Sequence, residues 1–150
     1  MKASEGRIGR VFVIRLEDGD KIPECIESFA AQQGISLAHV TLIGGVAKGQ
    51  VVVGPEDTDE RPPVPMLWPV NHAHEMLAAG IIAPDEDGKP ILHVHASLGR
   101  SDRAVTGCLR TGVFTWLVGE VILYEILEAQ AVRTKDKESG LSLLQAGPVG

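Results

Sequence analysis

Apolar and β-branched residues recur along this chain in short runs separated by turns, a pattern typical of a strand-rich domain. Residues 8–16 predict a first strand that is largely buried on both sides, because apolar residues dominate it. Apolar residues at helical spacing follow over residues 22–30 and predict an amphipathic helix. Asp20 is its predicted N-cap, Pro23 suits the first turn, and Gly34 is the predicted stop.

The middle of the chain predicts strands interrupted by glycine. Residues 40–43 form a predicted strand that ends in a bend at Gly44 and Gly45, and residues 50–53 form the next strand. The acidic, proline-rich residues 55–65 predict an exposed loop.

The second half of the chain leaves two local alternatives open. Residues 66–83 fit either a helix or a strand, since residues 76–79 suit a helix and residues 80–83 suit a strand. The turn at residues 84–89 separates this stretch from residues 91–98, and the two form a predicted hairpin. Residues 113–127 are strongly apolar with Gly119 in the middle, which fits one long bent strand or two strands.

The apolar pattern fades after Glu128, which sets the predicted domain bounds. We expect an N-terminal tail at residues 1–7, one compact domain at residues 8–132, and a C-terminal tail at residues 133–150. The C-terminal tail is polar with small apolar pieces, so it is predicted to be partly disordered.

Charge and cysteine content narrow the classes of function. The chain has 150 residues, 14 basic against 20 acidic side chains, and a formal net charge of −6. The basic residues are scattered, so tight binding of duplex DNA by this chain alone is not expected. Two cysteines are too few for a disulfide framework, and no apolar leader or membrane segment is evident. The sequence therefore predicts a cytoplasmic protein with no membrane partner.

Motifs in a fixed order resemble those of the plant-and-prokaryote conserved domain, which occurs in PD1-like and AT-hook-associated proteins. Residues 87–99, from the turn through His-x-His-Ala-Ser-Leu, carry the more specific part of the resemblance. The other matching segments are Gly19-Asp20, residues 42–46, Gly80, residues 106–109 and residues 119–123.

The resemblance implies an α+β fold, with a twisted, mainly antiparallel sheet, one main helix and assembly as a homotrimer. It also implies metal-binding histidines at this place in some members, and a DNA-binding label that comes from attached AT-hooks. Two departures matter. Cys108 stands where the family usually has histidine, and the chain has no Arg-Gly-Arg-Pro core of an AT-hook.

His93 and His95 form the strongest candidate site. Residues two apart on a strand point to the same face, so both imidazoles can reach one metal ion. Cys108 follows across a short turn and can add a thiolate, giving a His₂Cys set that suits zinc and leaves a fourth position open. The competing interpretation is that the histidines are half-buried polar residues of the sheet and that Cys108 is a small core residue.

The second His-x-His and Glu120 each have a functional and a structural interpretation. His72 and His74 would share a face on a strand but not on a helix, and the plain interpretation is an exposed polar stretch. His72, His74 or Glu75 would close the metal site if it were structural. Glu120 lies in an apolar stretch and is a candidate general base or neighbour of the metal ligands, or a residue of a subunit interface.

Three functions remain open from the sequence. The leading one is a trimeric binding or regulatory domain that holds a divalent metal, zinc by ligand type, beside a small-molecule or protein partner. A zinc-dependent hydrolase or lyase acting on a small molecule is the second, with Glu120 as its base. A DNA-binding transcription regulator is the third, and the net charge argues against it.

Overall fold

The computed structural model describes residues 1–110 and 112–147. In this part, the chain folds into a seven-stranded antiparallel sheet with one α-helix. A separate two-stranded sheet follows at the C-terminal end. This architecture confirms the predicted α+β class and the single domain with one main helix.

The elements are as follows in chain order: β1 Arg7–Glu17, α1 Ile22–Gln33, β2 Ala38–Pro55, β3 Pro65–Val70, β4 His74–Pro84, β5 Pro90–Arg100, β6 Arg103–Leu109, β7 Phe114–Leu127, β8 Ala131–Lys135 and β9 Ser142–Ala146.

The sheet is organised around the long strand β2. The strand order is β1-β7-β2-β4-β5-β6, and β3 pairs with the second half of β2. β6 also pairs with β2, so β2, β4, β5 and β6 form a closed ring of strands. Gly107 makes this closure possible, because a Cβ atom there would collide with the carbonyl oxygen of Val52. Ring closure pairs sheet edges that would otherwise be open. β5 and β6 pair as a hairpin, and the candidate ligands lie on these two strands.

β1 is an edge strand, so the prediction that it is buried on both sides is wrong. Phe12, Ile14 and Leu16 face the core, while Val11 and Val13 on the other face are exposed. Composition cannot separate these cases, because apolar residues occupy both faces of the strand. The exposed face becomes important below.

The helix is predicted well at its C-terminus and less well at its start. Gly34 ends α1 in a left-handed conformation with φ of 66°, as the sequence indicates. Asp20 is not the N-cap. Lys21 occupies that position without a side-chain bond, and the Asp20 carboxylate accepts a 2.8 Å hydrogen bond from the backbone N–H of Glu17. Among the residues that the structure describes, no helix is both long and apolar enough to cross a membrane.

β2 and β7 are each one long strand. The bend predicted at Gly44 is a register irregularity within β2, and not the end of a strand. Gly44 has φ of 135° and lies directly against the backbone of Val118 in β7, so a side chain would not fit there. The open choice for residues 66–83 is settled as two strands, β3 and β4.

The predicted partial disorder of the C-terminal tail is wrong for the residues that the structure describes. β8 and β9 pair from Ala131 to Ala146, and Arg133 packs against β4 by donating a hydrogen bond to the carbonyl oxygen of Ile81. The alternation of apolar and polar side chains in these short strands is too weak to predict them from the sequence. Residues 148–150 of this predicted segment lie outside the described residues.

An ion pair ties β1 to β7 beside the helix end. The Arg10 guanidinium donates to both carboxylate oxygens of Glu125 at 2.7 and 2.8 Å, and it also donates to the carbonyl oxygen of Gln33. The Glu125 side chain is 9% exposed and that of Arg10 is 49% exposed. The hydrogen bonds from Arg10 lower the pKa of Glu125 to about 2.

We expect Glu125→Gln to lower the melting temperature at pH 6 by on the order of 3–6 °C, because the charged pair is lost. The folded-state pKa of Glu125 lies below its ordinary value, so the pair stabilises the protein above about pH 4.5 and is lost as pH falls toward 2. The gap between wild type and variant should therefore shrink over this range. Melting curves from pH 7 to pH 2.5 measure it.

Glu128→Gln is the matched control. Glu128 pairs with Arg7, but both side chains are more than half exposed, so its loss should change the melting temperature little at any pH. A gap for Glu125→Gln that stays constant or widens in acid would contradict the assignment.

Candidate metal centre

β5 presents His93 and His95 on the face of the sheet that points away from the core. Leu92 and Val94 alternate with them and are buried. Cys108 on β6 is the direct cross-strand partner of His95. The strand pairing therefore brings the three predicted ligands together.

The geometry suits one metal ion. One potential ligand atom from each of His93, His95 and Cys108 lies within 4.8 Å of the other two, and the two Nε2 atoms are 3.2 Å apart. Ligands bound tetrahedrally to zinc at 2.0–2.3 Å are separated by about 3.3–3.7 Å, so small side-chain rotations suffice. The Cys108 thiol donates a weak 3.7 Å hydrogen bond to the carbonyl oxygen of Leu109.

Two arginines, Arg110 and Arg133, act on the pKa values of two of the three ligands. Burial lowers the pKa of His93, and Arg133, His95 and Arg110 lower it further, which favours the neutral imidazole. Burial raises the pKa of the Cys108 thiol, while Arg110 and Arg133 act in the opposite direction. Neutral imidazole is the form that binds a metal, and a bound metal ion would take the place of the thiol proton.

A cleft of about 750 Å³ opens beside the ligands. Its walls come from the second half of β2, the loop before β3 and the hairpin of β8 and β9. Besides the three ligands, the charged residues that line the cleft are Arg61, Arg110, Asp136 and Glu138. This volume is in the range of small-molecule sites.

The second His-x-His does not contribute to this cluster. His74 is buried at the start of β4, where its Nδ1 lies 2.6 Å from the carbonyl oxygen of His72 and its ring packs edge-on against Trp68. His72 and His74 line a different hollow, which does not include His93. The plain interpretation, an exposed polar stretch, therefore fits His72 but is wrong for His74, which is buried.

Glu120 is also separate from the ligands. It lies on the same face of the sheet, but it sits on β7, opposite Arg15 on one side and Ile43 on the other. β2 and β4 intervene between β7 and β5, so about 14 Å of sheet separates Glu120 from the histidine strand. Within one chain, Glu120 does not face the cleft.

Arg110, Arg133 and the C-terminal hairpin were missed as parts of the site. Arg133 lies in the predicted tail, where its position between Val132 and Thr134 gives only a faint strand signal. The pairing of β8 with β9 and the packing on β4 depend on contacts far apart in the sequence. Sequence patterns of short range could not have revealed them.

Comparisons with known proteins bear on family and fold. Residues 3–127 match the model of the Plants and Prokaryotes Conserved (PCC) domain. A metal-containing protein from Archaeoglobus fulgidus is 25% identical, with a TM-score of 0.82 over 95% of this chain and 98% of that chain. No curated protein matches the sequence.

Two further solved structures are similar in fold. A plant- and prokaryote-conserved protein from Pyrococcus horikoshii is 22% identical, with a TM-score of 0.83 over 99% of this chain and 100% of its own. A candidate DNA-binding protein from Bacteroides thetaiotaomicron is 20% identical, with a TM-score of 0.77 over 97% of each chain.

Proposed function

The chain belongs to the Plants and Prokaryotes Conserved (PCC) domain family, as its motifs predicted, and from this premise we propose that it is a metal-binding module. His93, His95 and Cys108 hold one divalent ion per subunit. The observation that carries the proposal is that one ligand atom from each of them falls within 4.8 Å of the others. No such convergence is needed to stabilise a sheet face, where exposed polar side chains are hydrated.

Zinc is the ion that this ligand set favours. A thiolate with two imidazoles is softer than the oxygen ligands preferred by magnesium or manganese. The similar protein from Archaeoglobus fulgidus is metal-containing, and its likeness extends over nearly the whole of both chains. A thiolate ligand must stay reduced, which supports a cytoplasmic location.

The module works as a homotrimer that binds a small-molecule or protein partner at the metal cleft. Exposed apolar side chains lie on four adjacent strands, and Val13, Ile43, Leu77 and Ile81 share the sheet face that carries the histidines. An apolar patch of this kind is typical of a protein interface. Burial between subunits would protect it from water.

Metal analysis of the purified protein tests the proposal. We expect close to one zinc per chain after dialysis against metal-free buffer, and recovery of the same ratio when stripped protein is reloaded. A ratio well below one after reloading would contradict it. Competition with manganese should leave zinc bound, because of the thiolate ligand.

A zinc-dependent hydrolase or lyase is the second candidate, and the cleft favours it. Three protein ligands leave a coordination position for water, and the metal would lower the pKa of that water. Asp136 and Glu138 line the cleft, so the acidic group that such chemistry needs comes from the hairpin. Turnover of a small ester or amide that stops in Asp136→Asn and Glu138→Gln would favour this candidate.

The chain alone should not bind duplex DNA tightly. It has an excess of acidic side chains, and a trimer would triple its negative charge. We expect no sub-micromolar complex with an AT-rich duplex at 150 mM salt by fluorescence anisotropy. A tight complex at that salt concentration would establish the DNA-binding alternative.

A further inference from the structure

Arg133 is a buried cation without a carboxylate partner in the part of the chain that the structure describes. Arg133 is only 6% exposed. One Nη2 hydrogen bond reaches the carbonyl oxygen of Ile81 at 3.2 Å, whereas the buried Nε has no partner among the described residues. A buried charge is costly unless it is paired and hydrogen-bonded, so this arrangement is incomplete.

Arg133 lines a second hollow, of about 520 Å³, that adjoins the metal cleft. His93, His95 and Leu143 line both spaces, so the histidine pair lies between them. The side chains lining the hollow that can carry or donate a proton belong to His39, His93, His95, Arg133 and Ser142. No carboxylate is among its described lining residues. The hollow thus presents hydrogen-bond donors and positive charge, and none of its described lining residues is acidic.

We propose that this hollow binds a small oxyanion, such as a carboxylate or phosphate group, which pairs with Arg133 beside the metal centre. The inference deepens the proposed function, on which it rests, by naming the chemical class of the ligand. The planar guanidinium of arginine has a fork of donors that matches such groups. Arg133 lines the hollow, so guanidinium donors are present where such a group would lie.

Two features of the hollow distinguish an oxyanion from other ligands. A second cation would meet repulsion from Arg133, and a neutral ligand would leave the buried charge unpaired. Burial lowers the pKa of Arg133 and the Cys108 side chain opposes this effect, as an anionic partner in the hollow would also do. The wall formed by Leu143 and Leu144 is apolar, so the ligand that carries the oxyanion can have a small apolar portion.

Calorimetric titration of zinc-loaded protein with inorganic phosphate and, separately, with hexanoate tests the inference. We expect saturable binding of at least one of the two to wild type, and a loss of roughly 10- to 100-fold in affinity in Arg133→Met. Arg133→Lys keeps the charge but not the fork, so its loss should be smaller. Stronger binding of phosphate would identify a phosphate ligand, and stronger binding of hexanoate a carboxylate.

Arg7→Met is the matched control, because Arg7 is exposed, pairs with Glu128 and does not line the hollow. It should bind both anions as wild type does. If neither anion binds to folded, zinc-loaded wild type, the inference is overturned even where Arg133→Met fails to fold. Equal affinity in wild type and in both Arg133 variants would overturn it too.

Metal content separates this inference from the function on which it rests. Arg133→Met should keep zinc, since Arg133 is not a ligand. If Arg133→Met loses zinc yet binds phosphate like wild type, then Arg133 acts by pairing with the Cys108 thiolate, and the inference is contradicted. A wild type that binds no zinc but still binds phosphate through Arg133 would retire the metal proposal alone.

Discussion

His93→Ala and Cys108→Ala will each lose bound zinc, leaving well under one ion per chain after dialysis. Each substitution removes one of only three protein ligands. Loss of a group that merely orients a ligand lowers affinity roughly 10- to 100-fold, and loss of a ligand itself should exceed that. Elemental analysis of dialysed protein, with melting curves to confirm folding, measures the effect.

The chain offers sharp controls for this experiment. Cys108→His should keep the metal, because it replaces the thiolate with an imidazole, which is also a zinc ligand. Cys25→Ala and His72→Ala should also keep it, since Cys25 packs against the core on α1 and His72 lines a different hollow. Equal metal in wild type and in both alanine variants would show that the ion, if any, is held elsewhere.

The local features of the fold were predictable, and the features that depend on distant contacts were not. Gly34 ends the helix because glycine alone adopts the left-handed conformation at no steric cost. The hairpin of β4 and β5 follows from a turn between two apolar runs. The edge position of β1 depends on which strands pair with it, and no pattern within residues 8–16 contains that information.

The candidate site likewise combines features that are predictable from local sequence with features that depend on distant contacts. The two-residue period of a strand places His93 and His95 together, so their convergence follows from sequence alone. The proximity of Cys108 needs the register of β5 with β6, which the short turn between them made predictable. Arg133 reaches the site only through a hairpin that begins 36 residues after His95, and its role depends on burial.

The register also links the metal centre to the exposed apolar face. One cross-strand row runs across the sheet through successive partners, and its members are Val13, Ile122, Thr41, Ala79, His95 and Cys108. The neighbouring row contains Ile43 and Leu77, both more than half exposed. A subunit docked on this face would therefore lie close to the histidines, and assembly and ligand access would be coupled.

Leu77→Asp should convert the proposed trimer into monomers at micromolar concentration. Leu77 is 66% exposed within one chain, so the substitution should not disturb folding of the subunit. In a trimer, however, it would bury an unpaired carboxylate on each subunit, which costs roughly 3–5 kcal/mol each. Sedimentation velocity at 10 µM, with wild type at the same concentration, measures the assembly.

Val13→Asp and Val64→Asp make the test specific to this face. Val13 is 81% exposed on the edge strand and belongs to the row that includes His95, so its substitution should also dissociate the trimer. Val64 is similarly apolar and 40% exposed, but it lies in the loop before β3 and should leave assembly unchanged. A wild type that sediments as a stable monomer would refute the trimer itself. Trimers that persist in both Leu77→Asp and Val13→Asp would place the interface on another surface, since an interface on this face would bury one unpaired carboxylate per subunit in each variant and lose much of its affinity.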